Sequence, residues 1–271
     1  MSHSPGLPTC WPSYCGSVLI LLPPSEGKTA PQDGPRLKPD ALSFGSLAES
    51  RAQTLQHLVD LCRGDPERAE RVLKLGPTQV GEIERNAVLA DEPTAPALDV
   101  YSGVLFAALD HARLDGDAHG RARDRLVIAS ALFGLLRPDD PIPAYRLSAA
   151  VRLPGLGSPR QVWAGALRQA ITEAAGDGVI VDMRSGAYAK LFAPAVSTPL
   201  AHNWVTLRVL TRRGGRLVSV SHHNKHTKGL LARDLVRLSD VPSGRRQLCE
   251  ALRDLGWSCE PGQGTAVDVV I

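Results

Sequence analysis

The side chains best suited to chemistry in this 271-residue chain occur in four short clusters, each after an apolar segment. The clusters are SEGKT at 25–29, RPDDPIPAYR at 137–146, DMRSGAYAK at 182–190 and HHNKHTK at 222–228. Because ligands of α/β proteins bind at the carboxyl ends of strands, we expect the four clusters to meet in one cleft. Such a cleft would hold several cations, two tyrosines and a few carboxylates, which suits phosphate or another anion.

The clusters supply candidates for two kinds of role. In an enzyme, Asp182 or Glu26 would act as the acid or base. Arg137 and Arg146 would clamp an anionic substrate that Tyr145 orients. Asp182 has a structural alternative, since an acidic side chain after a strand also caps a following helix. The candidates for anion binding are Ser25, Lys28, Arg137, Tyr145, Arg146, Ser185, Tyr188, Lys190, Lys225 and Lys228.

The stretch Ile128–Arg146 is expected to organise this cleft. An apolar run ends at Arg137, and prolines at 138, 141 and 143 stiffen the polar loop that follows. A stiff loop that carries Arg, Asp and Tyr on a buried segment is typical of a binding site. It is equally typical of a sharp structural turn that holds an Arg–Asp pair, and these residues alone leave both readings open.

Two further patterns match known motifs incompletely. Gly27-Lys28-Thr29 resembles the end of a phosphate-binding P-loop, but Leu22 stands where that motif requires glycine. Lys28 is therefore better explained as an anion contact than as part of a nucleotide triphosphatase. His222 and His226 have the spacing of helical metal ligands, yet the pattern predicts that a strand ends there. We predict a basic anion-binding loop at this point, with no metal site and no cofactor.

The distribution of charge indicates an anionic partner. The whole chain carries a net charge of +3, but residues 206–237 contain eight basic side chains and one acid. That segment is +7 and the remainder is −4. Such asymmetry favours DNA or a phosphate-bearing small molecule as the partner, and a solvated basic face is the alternative.

The cysteines and the hydropathy pattern predict a cytoplasmic protein. Cys10, Cys15, Cys62, Cys249 and Cys259 fit neither a zinc ribbon nor a dense disulfide framework. No apolar run approaches the roughly 18 residues that a membrane span requires, so we expect no membrane contact. Residues 1–17 are rich in Pro, Ser and Gly and predict a disordered extension, followed by a single domain at 18–271.

The predicted elements indicate an α+β or irregular α/β fold, with a mixed sheet surrounded by helices. Strands are predicted at 18–22, 149–153, 178–183 and 266–271, and as a hairpin at 206–210 and 217–220. Helices are predicted at 48–63, 161–175, 230–238 and 243–255.

Residues 66–89 resemble a helix–hairpin–helix element. Asp65 would cap a first helix that starts at Pro66 and runs through Leu75, and Thr78 would cap a second that ends near Leu89. Backbone amides of the hairpin, around Gly76, Thr78 and Gly81, would bind a nucleic-acid phosphate. A short helical hairpin is also a common structural unit, so this pattern leaves both roles open.

Five segments together resemble one protein family. They are LILLPPSEGKT at 19–29, VYSGVLF at 100–106, ALFGLLRPDDPIPAYRL at 131–147, VIVDMRSGAYAKLF at 179–192 and SVSHHNKHTKGLLARDLV at 219–236. On these segments the chain resembles the YaaA family of bacterial peroxide-stress proteins, also called DUF328 or UPF0246. The better-known branch has a SPAKT-like first motif where this chain has PPSEGKT, which leaves a different ligand open.

The resemblance implies a single compact α/β domain with a positively charged cleft and a helix–hairpin–helix element at 66–89. It also implies a cytosolic protein that binds DNA and limits peroxide damage, with lower free intracellular iron. The cleft residues that it implies are Lys28, Arg137, Tyr145, Arg146, Lys190, Lys225 and Lys228.

We therefore predict a cytosolic peroxide-stress protein that binds DNA through a basic cleft. The alternative is an enzyme that acts on a nucleoside, nucleotide or damaged base in the same cleft. A small deep pocket that holds Asp182, Arg137 and Lys28 would favour the enzyme, and scatter of these groups over a flat face would count against it.

Overall fold

The computed structural model describes residues 18–219 and 221–271, apart from the side chains at 219 and 221–223. The extension predicted at residues 1–17 lies outside the described residues. Within them, helices surround a main mixed sheet, which confirms the fold class predicted from the sequence.

The element boundaries are as follows. The strands are β1 (Val18–Leu22), β2 (Ala95–Pro96), β3 (Leu126–Ser130), β4 (Gly134–Leu136), β5 (Pro141–Ile142), β6 (Val179–Asp182), β7 (Trp204–Arg213), β8 (Arg216–Ser219), β9 (Cys259–Pro261) and β10 (Ala266–Val270). The helices are α1 (Ala48–Arg63), α2 (Pro66–Leu73), α3 (Gly81–Ala87), α4 (Ala97–Val100), α5 (Val104–Leu109), α6 (Gly116–Arg125), α7 (Pro159–Ala175), α8 (Gly186–Ala189), α9 (Pro199–His202), α10 (Ser221–Arg237) and α11 (Arg245–Asp254). Short 3₁₀ turns are formed by Pro39–Ala41, Gly45–Leu47, Pro77–Gln79 and His111–Arg113.

Eight strands of the described residues form the main sheet, in the order β4-β3-β1-β6-β7-β10-β9, with β8 paired to β7. β3, β1, β6, β7 and β10 are parallel, and β4, β8 and β9 are antiparallel to their neighbours. Every residue of β1, β3 and β6 is buried. Their nearly continuous apolar sequences follow from this burial, since helices cover both faces of parallel strands.

The strand order creates a crevice between β1 and β6. β1 is central, with β3 on one side and β6 on the other. The parallel strand that follows β1 in the chain is β3, whereas the one that follows β6 is β7, so the two connections diverge in opposite directions. The carboxyl ends of β1 and β6 therefore flank a topological switch point, where α/β folds bind their ligands.

Local signals predicted the first helices well. α1 has the predicted boundaries, and the Asp65 side chain caps α2 by accepting a hydrogen bond from Glu67 N at 2.9 Å. α2 ends at Leu73, before the predicted end, because Lys74 adopts the left-handed conformation. The cap predicted at Thr78 is wrong, since this residue lies in a 3₁₀ turn and α3 starts only at Gly81.

Two predicted elements are wrong in ways that tertiary packing explains. α10 starts at Ser221 and not at Leu230, so the cluster at 222–228 is helical and not a loop. Within α10, Gly229 lies against Leu105 O, and a Cβ there would stand only 2.7 Å from Ala108 Cβ of α5. Close packing on α5 stabilises a helix whose His and Asn residues have weak helix propensity. Residues 149–153 form no strand, and Val151 and Leu153 are buried from irregular backbone.

Candidate functional site

A cavity of about 720 Å³ lies in the crevice between β1 and β6 and is the larger cavity of the site. This volume falls within the roughly 300–1,000 Å³ of small-molecule sites. Three predicted clusters reach it, from the loop after β1, from the segment after β6 and from α10. The lining residues are Pro23–Gly27, Gly103–Phe106, Arg184–Gly186, Tyr188, Thr206–Leu210, Asn224, Lys225 and Lys228.

Lys228 supplies a positive charge to the larger cavity, and a hydrogen bond holds this charge in place. Its Nζ donates a hydrogen bond to Met183 O, the residue after β6, at 2.8 Å. Burial lowers the pKa of Lys228, and the nearby Asp182 carboxylate opposes that shift. Lys225 lies three residues earlier in α10 and is exposed at the cavity wall. The two lysines give one end of the cavity a positive charge.

Asp182 is committed to a buried ion pair with Arg184. Arg184 Nε and Nη2 each lie 2.9 Å from one oxygen of the Asp182 carboxylate. Asp182 also accepts a hydrogen bond from Arg184 N, and Arg184 donates to Tyr188 O and Phe192 O. The geometry therefore favours a structural role for Asp182, but the helix cap predicted from the sequence is wrong: its carboxylate holds Arg184, and Ser185 is the N-cap residue of α8. Arg184, which the sequence analysis did not select, is the residue that reveals this role.

A smaller cavity of about 280 Å³ lies on the other side of the loop after β1. Glu26 and Gly27 line both cavities, so this loop separates them. Arg146 Nη1 lies 2.9 Å from Glu26 Oε2, which fixes the loop against the segment after β5. The other residues lining the smaller cavity are Lys28, Gln79, Glu82, Arg85, Ala144, Tyr145 and Arg146.

A buried hydroxyl cluster supports the wall beneath Lys28. Tyr145 Oη lies 2.7 Å from both Tyr101 Oη and Ser130 Oγ. Ser130 Oγ accepts hydrogen bonds from Leu132 N and Phe133 N, so its own proton is donated to Tyr145 and Tyr145 in turn donates to Tyr101. Burial raises the pKa of Tyr145 well above its usual value, so the phenol stays protonated. Tyr101 lies in one of the family segments, but no sequence signal pointed to its role.

Lys28 is the most strongly perturbed cation of the site. Its Nζ stands 4.2 Å from the centre of the Tyr145 ring and donates to Ser25 O at 3.1 Å. Burial lowers the pKa of Lys28 to about 8, the charge of Glu26 opposes that shift, and the charge of Arg146 adds to it. The predicted anion contact is thus an amine that is half deprotonated near pH 8.

The residues of the stretch at 137–146 do not all lie at the same end of the sheet. β4 is antiparallel to β3, so it returns Arg137 to the amino end of β3, where Arg137 Nη1 donates to Asp124 O at 2.6 Å. Asp140 Oδ2 accepts from Arg137 N, and its Oδ1 accepts from Ser43 N. The structure does not bring Arg137 to the cleft with Tyr145 and Arg146, and its segment is the sharp turn that the sequence left open.

The remaining predicted anion contacts lie in different surroundings. Ser25 and Ser185 line the larger cavity, and Ser185 is exposed. Tyr188 is buried at the wall of the same cavity, and burial strongly raises its pKa. Lys190 is exposed at the end of α8, outside the lining of both cavities as the described residues define them.

Comparison with known proteins decides the family. The profile described as peroxide stress protein YaaA matches residues 18–240. The chain belongs to the peroxide stress protein YaaA family. A UPF0246 protein of Streptomyces coelicolor is 42% identical over 260 residues, which cover 94% of this chain and 98% of the relative. A UPF0246 protein of Corynebacterium glutamicum is 40% identical over 224 residues, which cover 80% and 84%.

Residues 66–89, where the family resemblance implies a helix–hairpin–helix element, offer poor contacts for a phosphate. Gly76 N already donates to Gln79 Oε1 at 3.1 Å, and Thr78 and Gly81 are exposed. Glu82 and Glu84 lie in the first turn of α3, where negative charge opposes a phosphate. The two helices and their hairpin therefore favour the structural role that the sequence left open.

Two further observations on this YaaA family member concern metal binding and membrane spanning. Among the described side chains, no group of three or more His, Cys, Asp or Glu residues could hold a metal ion. The side chains of His222 and His223 lie outside the described ones. No helix in the described part of the chain combines the length and apolar character needed to cross a membrane.

Proposed function

We propose that this YaaA-family protein binds a phosphate-bearing small molecule of nucleotide size in the larger cavity. The observation that carries the proposal is the cavity itself, about 720 Å³ at the switch point, with one cationic end and one apolar wall. Its role in the response to peroxide follows from the family. The cytoplasmic location and the lowering of free iron, both implied by the resemblance, stay predictions.

The lining of the larger cavity suits the two parts of a nucleotide. The apolar wall includes Val104, Leu105 and Phe106, against which a base can pack. At the cationic end, Arg208 is paired with Asp268 at 2.7 Å and Arg184 is paired with Asp182, so the charges of both arginines are already neutralised. This leaves Lys225 and Lys228 as the lining cations that a phosphate can contact. A phosphate accepts charge-assisted hydrogen bonds from such lysines.

If the protein also catalyses a reaction of its ligand, Glu26 is the predicted acid or base that is not held in a buried ion pair. Its side chain is 52% exposed, lines both cavities and is bonded to Arg146. Asp182, the other predicted acid or base, is already held by Arg184.

Calorimetric titration with the four common nucleoside monophosphates tests the proposal. We expect at least one of them to bind more tightly than its nucleoside. Lys228→Met should weaken that binding by about 10–100-fold, the value of a hydrogen bond from a charged donor. Lys190→Met removes an exposed lysine outside the cavity and should change the affinity by less than about twofold. Equal affinity for nucleotide and nucleoside, or no binding at millimolar concentration, would contradict the proposal.

DNA binding is the second candidate, and the β7–β8 hairpin favours it. Arg212, Arg213 and Arg216 are exposed around its turn. Glu260 lies 4.0 Å from Arg212, so this surface is only weakly neutralised.

The salt dependence of duplex binding tests this candidate. Replacement of both Arg213 and Arg216 by Ser should lower the slope of log affinity against log salt by about 2, since each phosphate contact contributes about 0.9. The matched variant Arg68→Ser/Lys74→Ser removes two charges from the hairpin at 66–89. A drop in slope for the second variant alone would move the DNA contact to that hairpin, and no duplex binding at low salt would remove the candidate.

A further inference from the structure

Lys28 lines the smaller cavity, which the proposed nucleotide site does not use. We propose that Lys28 is a nucleophilic amine that forms an imine with a small aldehyde or 2-oxo acid in this cavity. The inference is independent of the proposed function, because it concerns the other side of the loop after β1.

The backbone and side chain of Lys28 are held in place before any ligand binds. Lys28 pairs with Tyr101 in an isolated bridge, and Thr29 N donates to Val100 O at 2.8 Å. Nζ is fixed by Ser25 O and by the face of the Tyr145 ring. A nucleophile positioned in this way loses little conformational freedom when it reacts.

The surroundings of Lys28 favour the neutral amine, which is the nucleophilic form. Burial lowers the pKa of Lys28 to about 8. An ordinary lysine has a pKa of about 10.4, so near pH 8 about half of Lys28 is neutral when surface lysines are almost entirely charged.

Two arginines at the wall of the smaller cavity can hold the anionic group of a 2-oxo acid. Arg146 uses Nη1 for Glu26, and Arg85 uses Nη1 for Glu82 at 2.7 Å. Among the contacts of the described residues, these arginines keep their Nη2 donors for another acceptor. Each Nη2 can donate a charge-assisted hydrogen bond to a carboxylate, and both arginines line the same cavity as Lys28.

The reaction needs no oxidant or reductant. The Nζ lone pair attacks the carbonyl carbon, the C=O electron pair moves to oxygen, and that oxygen takes a proton. Nζ gives up a proton, which the carboxylate of Glu26 in the cavity lining can accept. The carbinolamine hydroxyl then takes a proton and leaves as water while Nζ gives up its second proton, so that amine and carbonyl become imine and water.

Borohydride trapping on the full chain tests this inference. The protein is incubated with glyoxylate between pH 6 and pH 10 and quenched with sodium borohydride, and each lysine-containing peptide is quantified by mass spectrometry. We expect Lys28 to carry at least about tenfold more label than Lys190 or Lys225 at pH 8, because its amine is the more deprotonated. Its labelling should rise through pH 8 and level off, whereas labelling of Lys190 keeps rising to pH 10.

Acetaldehyde, which has no carboxylate, tests the role of the arginines. Lys28 should prefer glyoxylate over acetaldehyde by about tenfold, and Arg146→Gln should remove most of that preference. Even labelling of all lysines, or the same pH profile for Lys28 and Lys190, would overturn the inference. The two proposals fail separately, since calorimetry reports nucleotide binding and mass spectrometry reports the label on Lys28.

Discussion

Replacement of Arg51 by Met is expected to lower the free energy of unfolding by at least about 4 kcal/mol, which would be a large part of the roughly 5–15 kcal/mol typical of a folded domain. Arg51 lies in α1 and is only 1% exposed. Its guanidinium donates to the carbonyl oxygens of Leu42, Ser43, Phe133 and Leu135, at 2.6–3.4 Å.

The size of this effect follows from the four carbonyl oxygens that would lose their hydrogen-bond donor in Arg51→Met. Each buried carbonyl without a donor costs about 1–3 kcal/mol, and Met fills the space without replacing any of the four bonds. The same side chain joins the loop at 42–43 to β4, so both segments lose their support together. Burial lowers the pKa of Arg51 to about 10, and the charge of Asp140 opposes that shift.

Urea unfolding followed by circular dichroism measures this prediction. Arg68→Met is the matched control, because Arg68 is exposed on α2, and it should change stability by no more than about 0.5 kcal/mol. If Arg51→Met is as stable as Arg68→Met, the bonds from Arg51 to the four carbonyls do not support the fold.

Replacement of Asp182 by Asn is expected to destabilise the protein by about 3–5 kcal/mol, because it leaves the charge of Arg184 buried without its partner. Arg184 and Asp182 are 6% and 4% exposed, and the pair is bidentate. Arg184 Cζ also stands 5.4 Å from the centre of the Trp204 ring in β7, so a move of Arg184 towards water would break this contact as well.

The control for Asp182→Asn is Asp91→Asn, which breaks the ion pair of Asp91 with Arg36. Both partners of that pair are more than half exposed, so its loss should cost less than about 1 kcal/mol. Equal stability of the two variants would show that the buried pair is not a structural requirement.

Ligand binding by Asp182→Asn distinguishes the structural role from a catalytic one. At a temperature where the variant is still folded, we expect nucleotide binding in the larger cavity to stay within a few-fold of the original value. A folded variant with a normal cavity that has lost only a catalysed reaction would instead restore Asp182 as the acid or base.

The sequence by itself determined the features that depend on short-range signals. The helical spacing of α1, the cap at Asp65, the apolar strands β1 and β6 and the turn between β7 and β8 were all predicted, since each depends on residues a few positions apart. The five segments that resemble the family also identified it, because a sequence match does not depend on which residues the fold brings together.

Only the tertiary structure decided how the polar clusters are distributed around the sheet. The antiparallel direction of β4 carries Arg137 to the amino end of β3, whereas Tyr145 and Arg146 reach the cavities beside β1. The pairing of Asp182 with Arg184 and the lowered pKa of Lys28 likewise depend on atoms from distant segments. Strand order, strand direction and burial arise from contacts between residues far apart in the chain, so the sequence supplied the reactive groups but not which of them would meet.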